Sequence, residues 1–171
     1  MCDIYWPEEE KELTYDYLKI KMTKRHKTND FYWYREFDVT NIQTKETRTV
    51  GHYHSVGWPD RKVPKPEYEV YFAELFEKIS NIKDSQENIP IIVHCSAGVG
   101  RTGTTIALYF LVNLLKLYEN EFGINLEKAP GLSIFGTVRC LREHRNFMVQ
   151  TNDQYQYIYQ FMHKKIQSMF K

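Results

Sequence analysis

The sequence predicts an α/β domain in which three strands come first, helices predominate after them, and a glycine-rich loop joins a later buried strand to a buried helix. The segments up to Val56 alternate in polarity and are rich in aromatic and β-branched residues, which is typical of strands. From Glu67 onward the apolar residues recur at helical spacing instead. The glycine-rich loop, residues 94–103, lies between the short apolar run Ile89–Val93 and an apolar helical segment.

Three segments near the start predict an antiparallel meander. Thr14–Met22 and Phe31–Val39 alternate in polarity, and Thr47–Val56 has the same aromatic and β-branched composition. Only short polar gaps separate them, which favours hairpin connections between neighbouring strands. One face of the middle strand is predicted to be core: Phe31, Trp33 and Phe37.

The helical part begins after a proline signal. Pro64 and Pro66 precede Glu67–Ile82, in which apolar residues repeat at helical spacing. The continuous apolar run Ile89–Val93 predicts a strand buried on both faces. Further helices are predicted at about Gly103–Tyr118, Ser133–His144 and Asn152–Met169.

Composition excludes several classes of protein. The 171 residues suffice for one domain, and a net charge of +1 argues against a dedicated nucleic-acid binder. The longest apolar stretch, Ile106–Leu117, is too short to span a membrane, and no secretory signal opens the chain. Cys2, Cys95 and Cys140 are too few and too far apart for a disulfide framework, and no spacing suggests a metal site. We therefore expect a reducing, intracellular setting and no membrane segment.

The loop His94–Gly103, HCSAGVGRTG, is the candidate functional motif. The five residues between Cys95 and Arg101 allow the backbone to curl into a cradle whose N–H groups point inward, a typical anion site at a helix N-terminus. Gly98 and Gly100 supply the conformational freedom that the curl needs. The cradle is expected to be lined by Ser96, Ala97, Gly98, Val99 and Gly100, with the Arg101 guanidinium binding two oxygens of the anion.

The same dipoles and the charge of Arg101 favour a thiolate at Cys95, which is the nucleophile needed to attack phosphorus. Thr102 is placed to donate its hydroxyl to the sulfur and to steady it as a leaving group. The alternative is a glycine-rich turn with an inert buried cysteine; the flanking His94 and Thr102 and the glycines argue against it. Cys140 is expected to be a small buried hydrophobe rather than a second reactive thiol.

Two weaker motifs complete the candidate site. Asp60, in Trp58-Pro59-Asp60, is suited to protonate the leaving group of a phosphate ester, although the motif alone is more typical of a plain proline turn. Gln150 and Gln154 offer amides that can position water, although alone they suggest only a polar helix N-terminus.

Taken in order and spacing, residues 58–60, 94–103 and 150–154 resemble the tyrosine-specific protein tyrosine phosphatases. The resemblance covers nearly the whole chain and is closer to receptor-type or viral members than to dual-specificity phosphatases. It implies a mixed, twisted sheet flanked by helices, hydrolysis of phosphotyrosine in proteins through a cysteinyl-phosphate, and neither metal nor cofactor. The expected location is cytoplasmic, with the intracellular part of a longer membrane protein and a viral product in a host cell as the alternatives. The roles it implies are nucleophile for Cys95, phosphate binding for Arg101, general acid and then base for Asp60, assisted release for Thr102, and water positioning for Gln150, with Gln154 binding beside it.

The sequence departs from the family pattern in two places. Arg61-Lys62 follows the aspartate where the family has an aromatic residue or histidine and then glycine. The family domain also begins well before the position of Met1, and the earlier part holds a tyrosine-bearing loop, an acidic partner for Arg101 and strands of the central sheet. Residues 1–171 are therefore expected to be the C-terminal portion of a catalytic domain, with the missing sheet edge covered either by a partner chain or by another part of a longer protein.

Two other functions are weighed against this one. A truncated relative that binds phosphotyrosine or another protein without turnover fits the missing front part, although binding alone does not require Asp60. A lipid or dual-specificity phosphatase is disfavoured, because the loop between Cys95 and Arg101 lacks the lysines that are expected for binding inositol phosphates.

Overall fold

A computed structural model of the protein describes residues 3–85, 89–123 and 132–169. The chain divides into two compact units, Met1–Trp58 and Pro59–Lys171. The first unit contains the strands and the second contains the helices and the glycine-rich loop.

The first unit is built on an antiparallel sheet whose strands follow one another in chain order. The strands are β1 Glu12–Tyr15, β2 Leu18–Lys27, β3 Tyr32–Asn41 and β4 Thr47–Ser55. Each strand pairs with the next, β2 with β3 and β3 with β4 over most of their lengths. The predicted meander is therefore confirmed.

The predicted single strand Thr14–Met22 is wrong in detail, because it is a hairpin. Tyr15 pairs with Leu18 across a two-residue turn. The turn places Asp16 at a φ of 51°, in the left-handed region that aspartate tolerates better than most residues. Alternation continues through so short a turn, and the sequence pattern alone does not reveal it.

The predicted core face of β3 is only partly buried: Phe31, just before the strand, and Phe37 are buried, whereas Trp33 is half-buried. The same face also buries a charged residue. Arg35 is 6% exposed, and its guanidinium carbon lies 4.9 Å from the Trp6 ring centroid and 5.9 Å from that of Trp33. Burial lowers the pKa of Arg35 from its usual value. The aromatic rings offer the guanidinium cation–π contacts in place of water.

The second unit contains the predicted helices. After a 3₁₀ turn at Pro66–Tyr68 come α1 Glu69–Ser85, α2 Gly100–Phe122, α3 Ile134–His144 and α4 Asn152–Met169. The α3 helix begins at a serine cap, since the Ser133 hydroxyl accepts a hydrogen bond from the Gly136 N–H at 3.0 Å.

The core of the second unit forms around α2, which contacts both α3 and α4. The aromatic rings of Phe72 and Phe76 on α1 pack edge-on against Phe161 of α4, with centroids 6.3 and 6.4 Å apart. Helices α2 and α4 each have their own stripe of buried apolar residues at helical spacing. The residues on α2 are Ala107, Leu108, Leu111 and Leu115, and those on α4 are Ile158, Phe161 and Met162.

The prediction of a buried strand at Ile89–Val93 is wrong for this chain. These residues form no strand, and Ile89, Ile91 and Ile92 are 39%, 40% and 85% exposed. A strand buried on both faces requires neighbouring strands to bond its backbone, and among the described residues no strand pairs with this run. The run therefore has the composition of a core strand, but its isoleucines lie at the surface.

In the parts of the chain that the structure describes, no helix combines the length and apolarity that crossing a bilayer requires. The same residues contain no group of histidine, cysteine or acidic side chains suited to hold a metal ion.

Candidate active site

The glycine-rich loop ends at the N-terminus of α2, as the sequence predicts, and its curl places backbone groups around the Cys95 sulfur. The Gly98 N–H donates to Sγ at 3.3 Å. Gly98 has a φ of 71°, and a side chain there would also meet the Arg145 guanidinium at 3.3 Å. Glycine is therefore favoured at this position by its backbone conformation, and a larger residue would in addition require the Arg145 guanidinium to shift slightly.

The thiol of Cys95 is free, half-buried and shifted toward the thiolate. Burial by itself raises its pKa, but hydrogen bonds from the Thr102 side chain and from the Thr102, Gly98 and Val99 amides outweigh burial and lower the pKa from 9.0 to about 7. A large fraction of Cys95 is therefore the nucleophilic thiolate at neutral pH.

Thr102 lies on the first turn of α2 and is 5% exposed. Its hydroxyl is buried and makes no hydrogen bond of full geometry to any described residue, but it lies close enough to the Cys95 sulfur to contribute to the lowered pKa of that thiol. The part that the sequence predicts for Thr102 in assisting release of the thiolate stays a prediction.

Asp60 and Arg101 form an ion pair, with 3.2 Å between Oδ1 and Nη2. The Arg101 side chain is 25% exposed, whereas that of Asp60 is 71% exposed and reaches the loop from the solvent side. The turn after Asp60 places Arg61 at a φ of 57°, a conformation that favours glycine. The departure from the family pattern at residues 61 and 62 thus coincides with backbone strain next to the candidate acid.

Gln154 is fully buried and connects the functional segments. Its side-chain oxygen accepts hydrogen bonds from the N–H groups of Gln150 at 3.0 Å and Thr151 at 3.2 Å. Its side-chain nitrogen donates to the Lys62 carbonyl at 3.4 Å, in the segment after Asp60. These bonds use the amide within the protein, so the observed role of Gln154 is structural, and its predicted contact with substrate stays a prediction.

Gln150 is exposed and lies over the start of α2, since a Cβ added to Gly100 would be 3.2 Å from its side-chain oxygen. The turn before it approaches the loop closely. The Val149 N–H donates to the Val99 carbonyl at 3.2 Å, and a Cβ on Gly103 would lie only 2.4 Å from the Val149 nitrogen. Glycine at position 103 therefore permits the turn and the helix to touch.

Sequence reasoning missed two arginines on α3 and just after it. Arg142 donates to the carbonyls of Met148 and Val149, both at 2.9 Å. Arg145 donates to the Ala97 carbonyl at 3.2 Å and so connects the end of α3 to the catalytic loop. In the sequence these residues are indistinguishable from the solvated basic end of a helix.

The structure brings most of the predicted site residues together within the second unit: Asp60, Cys95, Ala97, Gly98, Val99, Gly100, Arg101, Thr102, Gln150 and Gln154. Ser96 is an exposed residue of the same loop. The prediction for Cys140 is wrong: this residue is exposed on α3, because the helix turns Val138, and not Cys140, toward the core.

The arrangement is that of a known family. A sequence model of the family described as protein-tyrosine phosphatase matches residues 1–164. The chain belongs to the protein-tyrosine phosphatase family.

Individual relatives agree with this membership. Tyrosine-protein phosphatase 2 of Dictyostelium discoideum is 30% identical over 171 residues, which cover 99% of this chain and 42% of the relative. Receptor-type tyrosine-protein phosphatase eta of Homo sapiens is 37% identical over 160 residues, which cover 93% of this chain and 11% of the relative. The chain thus spans less than half the length of these curated relatives.

The fold agrees as well. The catalytic domain of human protein tyrosine phosphatase non-receptor type 18 superposes with a TM-score of 0.82 at 29% identity, over 96% of this chain and 55% of that one. A second solved structure, on the PTPN18 fingerprint on distinct HER2 tyrosine phosphorylation sites, gives a TM-score of 0.80 at 28% identity. The predicted fold class is confirmed, and the part of the solved domain that is matched is little more than half.

Proposed function

We propose that this chain hydrolyses phosphotyrosine in proteins through a cysteinyl-phosphate. The observation that carries the proposal is the Cys95 thiol, whose pKa of about 7 arises within a loop of inward N–H groups at the N-terminus of α2. A nucleophile of this kind inside an anion site is suited to attack phosphorus.

The proposed reaction has two steps. The Cys95 thiolate attacks phosphorus, the bond from phosphorus to the tyrosine oxygen breaks, and Asp60 gives its proton to that oxygen. Water positioned by Gln150 then attacks the cysteinyl-phosphate, Asp60 takes a proton from it, and inorganic phosphate leaves as the thiolate re-forms. Arg101 and the amides of residues 96–100 bind the phosphoryl oxygens, and Thr102 stabilises the departing thiolate.

Phosphotyrosine is the proposed substrate because the relatives are named tyrosine phosphatases. One similar structure concerns HER2 tyrosine phosphorylation sites. The reaction requires a reduced Cys95, which supports a cytoplasmic location.

We further propose that residues 1–171 are the C-terminal portion of a catalytic domain, and that a polypeptide supplying strands covers Ile89–Val93. The exposed isoleucines of this run and the 55% coverage of the solved catalytic domain support this proposal. The alternative is a module that binds phosphotyrosine proteins without turnover, since an unsupported run immediately before Cys95 would weaken the catalytic loop. The relatives, which are named tyrosine phosphatases, favour turnover instead.

A comparison of substrates tests the proposed function. The chain is incubated with a phosphotyrosine peptide, its phosphoserine counterpart and an inositol phosphate, with Cys95→Ser as the inactive control. We expect phosphate release from phosphotyrosine alone, with a phosphoryl group trapped on Cys95 after acid quenching. Binding of the phosphotyrosine peptide without phosphate release supports the module, and equal rates on all three substrates contradict both.

A further inference from the structure

We propose that Arg142 is a positioning residue for hydrolysis of the cysteinyl-phosphate. It holds the turn of residues 145–149, which directly precedes Gln150, in place against the catalytic loop. The inference rests on the proposed function and adds to it a residue that does not touch substrate. In the sequence Arg142 is one of several basic residues on α3, and only its contacts distinguish it.

Arg142 makes two hydrogen bonds to consecutive backbone carbonyls of the turn, and this pair of bonds is called the clamp. Nε of Arg142 donates to the Met148 carbonyl and Nη2 donates to the Val149 carbonyl, both at 2.9 Å. The planar guanidinium offers parallel donors in a fixed geometry, so one side chain fixes two consecutive peptide groups. Bonds from a charged donor are also stronger than those between neutral groups.

The turn needs such a clamp because its backbone is strained. Phe147 and Val149 have φ values of 66° and 60°, in the region that L-residues other than glycine seldom adopt. For β-branched Val149 this conformation is especially unfavourable. Such residues persist only where surrounding contacts determine them, and Arg142 bonds the carbonyl of the strained Val149 itself.

The position of this turn also determines where Gln150 lies. Val149 is bonded through its N–H to the Val99 carbonyl of the catalytic loop at 3.2 Å. The next two N–H groups, of Gln150 and Thr151, are bonded to the buried Gln154 side chain. If the turn relaxes, Gln150 moves relative to Cys95 and the bond from Val149 to Val99 is weakened, while the contacts of Gly98 and Thr102 with the Cys95 sulfur lie outside the turn and are kept.

This arrangement predicts a specific kinetic defect. Attack by Cys95 does not depend on Gln150, whereas attack by water on the cysteinyl-phosphate does. Loss of the clamp should therefore slow hydrolysis of the intermediate and leave its formation unchanged. Since kcat/KM reports the steps up to formation of the intermediate, kcat and KM should fall together and kcat/KM should stay constant.

Arg139 provides a matched control. It lies one turn earlier on α3, lines the same cavity of about 540 Å³ as Arg142, and pairs only with the exposed Glu143 at 3.3 Å among the described contacts. Arg142→Gln and Arg139→Gln therefore remove the same charge from the same helix, and only the first removes the clamp. Arg142→Lys keeps the charge but lacks the planar guanidinium that bonds two carbonyls at once.

The first measurement is kinetic, with p-nitrophenyl phosphate as the probe and acid quenching to count cysteinyl-phosphate. For Arg142→Gln we expect kcat about tenfold lower or more, since bonds to charged groups are the stronger class, with kcat/KM unchanged and the intermediate accumulating. Arg139→Gln should match the parent and Arg142→Lys should fall between. A parallel fall of kcat and kcat/KM in Arg142→Gln overturns the inference.

The second measurement, hydrogen exchange, does not depend on activity. The amides of Val149, Gln150 and Thr151 should exchange about tenfold faster or more in Arg142→Gln than in Arg139→Gln, while α2 amides exchange alike in both. Equal protection in the two variants overturns the clamp. A parent chain that forms no cysteinyl-phosphate overturns the proposed function and the role in hydrolysis with it, and the exchange rates then decide whether Arg142 holds the turn.

Discussion

Asp60 Oδ1 lies 3.2 Å from Arg101 Nη2, so the candidate general acid is paired with the candidate phosphate-binding group. The family resemblance implies an acidic partner for this arginine from an earlier part of the domain, and among the described residues Asp60 pairs with it. The carboxylate is 71% exposed, and pairs so open to solvent contribute only about 0–1 kcal/mol. A phosphate dianion bound in the cradle can therefore displace it and leave Asp60 available as an acid.

The first prediction concerns the acid. Asp60→Asn should slow hydrolysis of aryl phosphates most where the leaving group is poorest, because only those substrates depend on a donated proton. Rates are measured across aryl phosphates of differing leaving-group pKa, with the exposed Asp30→Asn as control. Equal losses across the series would remove Asp60 from the acid role.

The second prediction concerns the ion pair itself. Asp60→Asn should bind inorganic phosphate about two- to fivefold more tightly, since the anion no longer competes with a carboxylate worth up to about 1 kcal/mol. The inhibition constant of phosphate gives the affinity directly. The gain should shrink as ionic strength rises, because salt screens an exposed pair. Unchanged or weaker phosphate binding would show that the pair does not compete with the anion.

The third prediction concerns the pH dependence of Cys95. Because its pKa is lowered to about 7, the thiolate dominates above that pH, and alkylation by iodoacetamide should rise with pH and reach half its maximum near pH 7. Thr102→Val removes a hydrogen bond that lowers the pKa and should move the midpoint upward. Thr105→Val is the control, since the Thr105 hydroxyl donates to the Arg101 carbonyl at 2.9 Å instead. Identical midpoints in both variants would contradict the part played by Thr102.

The fourth prediction compares two thiols. Cys95 is half-buried and Cys140 is exposed, so access alone favours oxidation of Cys140 by peroxide. We expect Cys95 to be oxidised first, because thiolate character outweighs access in this reaction. Phosphate should protect Cys95 alone. Mass spectrometry of peptides containing each cysteine measures the order, and earlier oxidation of Cys140 would argue against an activated Cys95.

The fifth prediction concerns the exposed run Ile89–Val93. Expressed alone, residues 1–171 should unfold with a marginal transition, associate as concentration rises and turn over slowly, because an apolar segment without strand partners attracts other chains. Ile92→Lys should reduce association, since Ile92 is 85% exposed. Ile4→Lys is a matched control, because Ile4 is 68% exposed but lies in the first unit. A monomer with a sharp transition and fast phosphotyrosine hydrolysis would refute this prediction.

The sequence by itself determined the elements whose signals are local. The spacing of Cys95 and Arg101, followed by an apolar helix, defines the loop at the start of α2 because everything it needs lies within ten residues. Ser133 marks the beginning of α3 and the alternating aromatics mark β3 for the same reason. Even the separation of the catalytic motifs along the chain was sufficient for the family resemblance.

The tertiary structure decided what depends on residues far apart in the chain. The pairing of Asp60 with Arg101, the clamp of Arg142 on the turn before Gln150 and the burial of Gln154 have no local signature, because each joins groups whose own neighbours predict only a polar surface. The exposure of Ile89–Val93 is the converse case. Its composition specifies a buried strand, but a strand is formed only when another strand bonds to it, and that partner is absent from the described residues.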